Sequence, residues 1–381
     1  MAPPLNIDMA ELTRLTVSGD LKQAMSLIKS GLGGLRAADA PAEPTPAAGD
    51  TIEMAPPAGR DGAWTARDAA PAEPAAPRKA KIPNPLPGFA AGKAAVPPVA
   101  QGASFERLSY ANAAGQRAYK LYVPASYSGQ PVPLVVMLHG CTQSPDDFAA
   151  GTGMNALAEE FGFLVAYPEQ SPSANVSRCW NWFNAAEQVR DHGEPSLIAG
   201  ITRQVMATHA VDARRVFVAG LSAGGAAAAT LGDLYPELYA AIGIHSGLAC
   251  GAARDMVSAF QAMREGAAGG RLAADHAVPT IVFHGDVDAT VHPSNGRHIV
   301  GRGRRAGELS ARTDDGQANG RTFTRTTYAD PAGRTRHELW SVHGTGHAWS
   351  GGQPAGSYTD PHGPDASREM VRFFLERTAA T

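Results

Sequence analysis

The sequence predicts an α/β fold with a mostly parallel central sheet and helices on both faces. Three observations predict it. Apolar runs of strand length, among them Leu134 to Leu138, Phe163 to Tyr167 and Thr280 to Phe283, stay hydrophobic at consecutive positions, as strands covered on both faces do. Segments of helical length, about ten to fifteen residues, lie between such runs, which is the alternation of a wound parallel sheet. Val216 to Gly225 reads as strand, sharp turn and helix, with Ser222 at the turn.

The 381 residues carry a formal net charge of −3, which gives no electrostatic case for nucleic acid or an anionic membrane as the main partner. No run reaches the length of a bilayer-spanning helix. Met1 to Asp8 lack the basic and apolar regions of a secretory signal, so the sequence as given predicts no Sec export and leaves a cytoplasmic location open. Three cysteines, Cys141, Cys179 and Cys250, lack the spacing of a structural zinc site. One disulfide plus one thiol, or three buried thiols, are both open.

Asp8 to Gly31 reads as two short capped helices forming a hairpin over residues 1–34, with an apolar stripe of Leu12, Leu15, Met25 and Ile28. So small a pair should dock on something or remain marginal, and a hydrophobic surface, granule or partner is the candidate contact. Residues 35–100 are rich in Ala and Pro without sustained periodicity, the composition of a disordered linker. The catalytic domain is placed at 101–381. Glu106–Asn112 and Arg117–Val123 alternate as strands around a Gly115 turn and predict an antiparallel hairpin at the leading edge. A helix is expected over about Asp146 to Phe161 and another over about Ser196 to His209. Tyr239–His245, Thr322–Tyr328 and Glu338–Val342 are further strands, and an amphipathic helix over Ser367–Arg377 closes the domain.

Ligands of a parallel sheet bind beyond the carboxyl ends of its strands. Three such ends carry reactive-looking sequence: His139-Gly140-Cys141, Gly220-Leu221-Ser222, and His284 through Asp288. The spacing from Gly220 to Gly224 is that of a nucleophile elbow, with Ser222 positioned to attack a carbonyl carbon. A serine hydroxyl needs an imidazole as base and an acid that holds the imidazole's tautomer. Asp288 and Asp286 compete for the acid. Asp288 is preferred because it lies farther into the loop; the bland alternative for either is a loop carboxylate capping the next helix. His347, in the glycine-relieved loop Gly344 to Trp349, is the candidate base, with His343 its nearest rival. His139, His245 and His284 follow apolar strands and read as structural histidines. The amides of Ala223 and Cys141 are the candidate oxyanion donors, one at the start of the elbow helix and one in the loop after the first central strand. Trp182 and Trp349 are candidate walls of the cleft, core packing being the alternative, and Gln143 joins them as a candidate substrate-binding residue. Asn175-Val176-Ser177 is a formal glycosylation sequon, and Arg302, Arg304 and Arg305 read as a solvated helix face.

Leu138-His139-Gly140-Cys141-Thr142-Gln143, Cys179-Trp180-Asn181-Trp182-Phe183, Gly220 to Gly225, His284-Gly285 with Asp288 and Val291, and Gly346-His347-Ala348-Trp349 together resemble the polyhydroxybutyrate (PHB) depolymerase-type esterases of the α/β-hydrolase superfamily. The resemblance implies an α/β-hydrolase fold and a serine esterase with Ser222 as nucleophile, Asp288 as acid and His347 as base. No cofactor and no metal is expected. It also implies an extracellular location and short-chain hydroxyalkanoate polyesters, or their oligomers, as the ester substrate. Feruloyl or acetylxylan-type carbohydrate esters are the rival substrates, and a catalytically silent binding module is the rival class. If a disulfide forms, Cys141 with Cys179 is the favoured pair, since both belong in loops near the strand ends.

Overall fold

The structure, a computed structural model, describes residues 54–55, 65–66, 95–267, 278–305 and 309–377. The chain divides into Met1–Pro87 and Gly88–Thr381. In the first unit the described residues form one short antiparallel pair, Met54–Ala55 with Thr65–Ala66, inside the stretch read as linker. The expected N-terminal helices and the linker outside residues 54–55, 65–66 and 95–100 lie beyond the described residues, as do the side chains of Arg302, Arg304 and Arg305.

The second unit is built on a ten-stranded sheet. In chain order its elements are β1 (Ser104–Asn112), β2 (Gly115–Val123), β3 (Val132–Leu138), α1 (Pro145–Thr152), α2 (Met154–Phe161), β4 (Leu164–Pro168), α3 (Gly193–Thr208), β5 (Val211–Leu221), α4 (Ala223–Leu234), β6 (Ala241–His245), α5 (Met256–Glu265), β7 (Thr280–Gly285), α6 (Ser294–Arg305), β8 (Ser310–Ala318), β9 (Arg321–Ala329), β10 (Thr335–Val342), the two-residue strands β11 (Trp349–Ser350) and β12 (Thr359–Asp360), and α7 (Ala366–Leu375). The strand order is β8-β9-β10-β7-β6-β5-β3-β4-β2-β1. The run from β4 through β3, β5, β6 and β7 to β10 is parallel. The two outermost strands at each end attach antiparallel.

The apolar runs are continuous because each strand feeds two cores. Leu134, Val136 and Leu138 of β3 and Val216 and Val218 of β5 join residues of α3 and α4 on one face. Val135, Met137, Phe217 and Ala219 alternate onto the other face, against α1, α2 and α7. A side chain fully buried in either core contributes about 1.5–3 kcal/mol.

Two expectations need correction. The single helix over Asp146–Phe161 is two helices, α1 and α2, broken at Gly153, where φ is 63°. The strand β8 falls where no strand was read. Its sequence, SARTDDGQA, has no apolar alternation because this outermost strand is exposed along most of its length.

Candidate active site

β5 ends at Leu221, and Ser222 stands between it and α4 at φ 57° and ψ −118°. Such backbone costs about 1–3 kcal/mol in a residue other than glycine and survives only where its surroundings over-determine it. Here the Ser222 amide donates to the His245 carbonyl at 2.8 Å, and the Ala226 amide donates to the Ser222 carbonyl at 2.9 Å. The flanking glycines are steric requirements. A Cβ on Gly220 would lie 2.4 Å from the Gly224 carbonyl carbon, and one on Gly224 would lie 2.1 Å from the Leu138 carbonyl oxygen. Ser222 is 4% exposed.

The loop after β7 supplies two aspartates, and the structure sends them to different histidines. Asp286 takes His343 Nδ1 at 2.9 Å and the Gly344 amide at 2.7 Å, on the surface. Asp288 is buried, and its Oδ2 lies 2.8 Å from His347 Nδ1. Its Oδ1 accepts the Thr290 and Val291 amides at 2.9 and 2.8 Å. His284 Nε2 donates to the Val291 carbonyl at 2.8 Å and stands 3.5 Å from Asp288 Oδ2. Burial alone would raise the Asp288 pKa; the bonds from His284 and His347 outweigh it and hold the carboxyl well below its ordinary range. An ionised Asp288 only accepts, so Nδ1 of His347 carries the proton and Nε2 presents its lone pair. That Nε2 is buried without a hydrogen-bond partner among the described residues.

Ser222 and His347 share no hydrogen bond, and His245 links them. Its carbonyl holds the Ser222 amide, its Nε2 accepts the Ser350 amide at 3.0 Å, and its ring stacks on Trp349 at 5.1 Å. Burial lowers the His245 pKa to about 3 and that of His139 to about 4, so both stay neutral.

Cys141 and Cys179 form a disulfide. In the turn after β3 the Gly140 amide donates to Gln143 Oε1 at 2.8 Å and the Thr142 amide to the Ser177 carbonyl at 2.7 Å. Between them, the Cys141 amide has no acceptor among the described residues. Ala223 opens α4, where the first amides of a helix have no intrahelical partner. Trp180 Nε1 donates to the His139 carbonyl at 3.0 Å and closes the back of the turn.

The expected substrate-binding residues are placed differently. Gln143 is 1% exposed and serves the turn, with its Oε1 on the Gly140 amide and its Nε2 donating to the Ser357 carbonyl at 3.1 Å. Trp349 is also 1% exposed; its Nε1 donates to Ser367 Oγ and its ring is covered by His245 and Phe148. Neither has a face left for a ligand, because the loops that carry them fold inward behind the site. Trp182 is 8% exposed, packs edge-on to Phe183, and lines a small cavity with Ile198, Ala227 and Leu231. The Asn175 side chain of the sequon is spent on its own turn, accepting the Ser177 and Cys179 amides and donating to Asn181. Tyr358, which the sequence reading passes over, stands edge-on to the His347 ring with centroids 6.4 Å apart.

A family model described as esterase PHB depolymerase matches residues 117–339, a span that includes Cys141, Ser222 and Asp288. Poly(3-hydroxyalkanoate) depolymerase C of Paucimonas lemoignei is 32% identical over 234 residues, covering 58% of this chain and 56% of the relative. Acetylxylan esterase A of Talaromyces purpureogenus is 29% identical over 202 residues, covering 48% of this chain and 52% of the relative. The chain thus spans about half the length of these relatives. Among solved structures, an acetyl xylan esterase from Aspergillus awamori aligns with a TM-score of 0.55 at 20% identity, covering 71% of this chain and 99% of that one, and the shared fold is that of the α/β hydrolases. With more than half of its length matched by the family model, the chain belongs to the PHB depolymerase esterase family.

Proposed function

We propose that the protein is a serine esterase that hydrolyses carboxylic esters through an acyl-enzyme, with short-chain hydroxyalkanoate polyesters or their oligomers as substrates. The observation that carries the reading is His347: Nδ1 bound by a buried carboxylate, Nε2 unpartnered, on a loop tied through His245 to Ser222 in its strained elbow.

Ser222 Oγ attacks the acyl carbon while His347 Nε2 takes its proton, and Asp288 stabilises the imidazolium. The amides of Cys141 and Ala223 receive the oxyanion. The carbon–alkoxide bond then breaks, and His347 returns the proton to the departing alkoxide, which leaves as the alcohol. Water attacks the acyl-serine, its proton passing to His347 and on to Ser222 Oγ as the acid leaves. Each proton taken is returned, and no external reductant or oxidant is needed.

The polyester reading is supported by the family and by the Paucimonas relative's name. A second reading, an ester carried on a carbohydrate, is favoured by the Talaromyces relative. Soluble p-nitrophenyl esters, PHB film and acetylated or feruloylated sugars, assayed with the natural protein and Ser222→Ala, separate the two. Film clearing lost in Ser222→Ala supports the proposal; activity that survives in that variant overturns it.

A further inference from the structure

His139 is 1% exposed, yet both of its ring nitrogens are engaged. Nε2 takes the Gln170 backbone amide at 3.1 Å, and Nδ1 lies 2.7 Å from the Gly140 carbonyl oxygen. A backbone amide only donates, so Nε2 is the acceptor, and the single proton of the neutral ring sits on Nδ1 and is donated to Gly140. Gln170 is itself fixed. Its side chain donates to the Cys179 carbonyl at 2.9 Å and to buried Glu194, and it accepts from Arg117 Nε at 3.0 Å. The ring is therefore held in one tautomer and one orientation from the loop after β4.

The carbonyl that receives the Nδ1 proton belongs to the peptide joining Gly140 to Cys141. A trans peptide is planar, with its C=O and N–H pointing in opposite directions, so a hold on the Gly140 oxygen aims the Cys141 N–H. The Gln143 amide reaches the same oxygen at 3.3 Å, a longer bond. On the far side of the peptide, the Cys141 amide has no acceptor among the described residues. This turn lies against the elbow: a Cβ on Gly140 would stand 3.5 Å from the Leu221 carbonyl oxygen, and one on Gly224 would stand 2.6 Å from the His139 carbonyl oxygen. The N–H groups of Gln170, His139 and Cys141 thus follow one another head to tail, an arrangement in which each bond polarises the next.

We propose that His139 is a positioning residue that aims and polarises the Cys141 amide toward the oxyanion. This rests on the Ser222 and Cys141 roles proposed above. A histidine that only filled space beside Trp180, whose ring centroid is 5.5 Å away, would need neither bond.

The test replaces one half of the ring at a time. In His139→Asn the side-chain nitrogen takes the place of Nδ1 and keeps the donor to Gly140, while the contact with Gln170 is lost. In His139→Gln the side-chain oxygen takes the place of Nε2 and keeps the acceptor for Gln170, while Gly140 loses its donor. With p-nitrophenyl butyrate, kcat is expected to fall about tenfold in His139→Gln with KM unchanged, the worth of about one hydrogen bond and less than the loss for deleting an oxyanion donor outright, and to stay within about threefold in His139→Asn. A trifluoromethyl ketone, whose adduct with Ser222 carries the oxyanion, should lose affinity in His139→Gln by the same factor as kcat/KM. Equal losses in the two variants, a greater loss in His139→Asn, no loss in either, or a fall in kcat with ketone affinity unchanged overturns the assignment, because a ring that serves packing does not distinguish its two nitrogens. Spectra of the natural protein labelled with ¹⁵N-histidine give a check free of any substitution: His139 is expected as the Nδ1–H tautomer, and an Nε2–H tautomer overturns the proposal whether or not the variants fold. Ser222→Ala separates this inference from the reading beneath it. Activity surviving in Ser222→Ala overturns that reading, whereas an inactive Ser222→Ala beside an unimpaired His139→Gln overturns the role of His139 alone.

Discussion

Removing the Cys141–Cys179 bridge tests how the oxyanion turn is held. The bridge spans 38 residues of sequence, a segment containing α1, α2 and β4. For a closed loop of that size the chain-entropy relation gives about 13 cal/mol/K, or about 4 kcal/mol at 25 °C, removed from the unfolded state. For a domain of this size each kcal/mol moves Tm by roughly 2 °C or more, so a Cys141→Ala/Cys179→Ala protein should melt about 8 °C lower. Activity adds a second reading. Alanine at position 141 keeps the amide, so catalysis survives to the extent that the His139–Gly140, Gly140–Gln143 and Thr142–Ser177 bonds alone keep the turn in place. The loss in kcat should stay below the hundred- to thousandfold expected for deleting an oxyanion donor outright. The assay is a thermal melt and p-nitrophenyl butyrate turnover of the double variant beside the oxidised and dithiothreitol-reduced natural protein. An unchanged Tm in both the variant and the reduced protein would refute the reasoning, because the bridge would then constrain nothing in the unfolded chain.

Asp288→Asn should lower kcat by about 10⁴ by presenting an amide to His347 Nδ1 and favouring the wrong tautomer, whereas Asp286→Asn, whose carboxylate binds the surface His343 and the Gly344 amide, should leave kcat within about twofold; steady-state kinetics of the pair check this. Trp349→Phe should lose about 0.5–1.5 kcal/mol of stability by removing the indole donor from buried Ser367 Oγ, which keeps its bond to the Thr152 carbonyl, with KM unchanged, as read by urea denaturation and a substrate titration; a large rise in KM would return Trp349 to the cleft wall. Stability should fall as pH drops from 7 to 5. The folded values of His139 and His245, about 4 and about 3, lie below the unfolded value near 6.5, so the unfolded chain binds the extra protons in that window and each histidine costs about 2 kcal/mol at pH 5. Asp288 acts in a lower window: its depressed pKa contributes stability above the ordinary carboxylate range that is lost only as pH falls below it. A pH series of denaturation midpoints, repeated with His139→Leu, checks the histidine contribution.

Most of the sheet was legible because its central strands are buried on both faces, so that runs such as Leu134–Leu138 and Val216–Leu221 carry no polar positions to blur them. The elbow was legible for a related reason, since at Gly220 and Gly224 the backbone of a neighbouring segment occupies the space of a Cβ. The edge was not. β8 pairs with β9 through the two-residue turn Asn319-Gly320, at φ 44° and 81°, and that dipeptide is the strongest short hairpin signal available; its strand lacked the hydrophobic alternation that would have drawn attention to it. Residue type also failed to tell which way a tryptophan points. Trp349 looks the same in sequence whether its ring lines a cleft or stacks on His245. Tyr358 was illegible as a neighbour of His347 because its contacts reach partners as far away as Thr142, 216 residues earlier, and no local pattern encodes them.

The ten-stranded sheet is open, so β1 and β8 each leave a row of backbone donors and acceptors facing outward. β8 answers this with Arg312, Asp314 and Asp315 on an exposed strand, and β1 with Glu106 and Arg107. Charges on a border strand penalise a second sheet that tries to dock there. The residues that made β8 hard to read as a strand are thus the ones that deter the folded domain from joining another copy edge to edge.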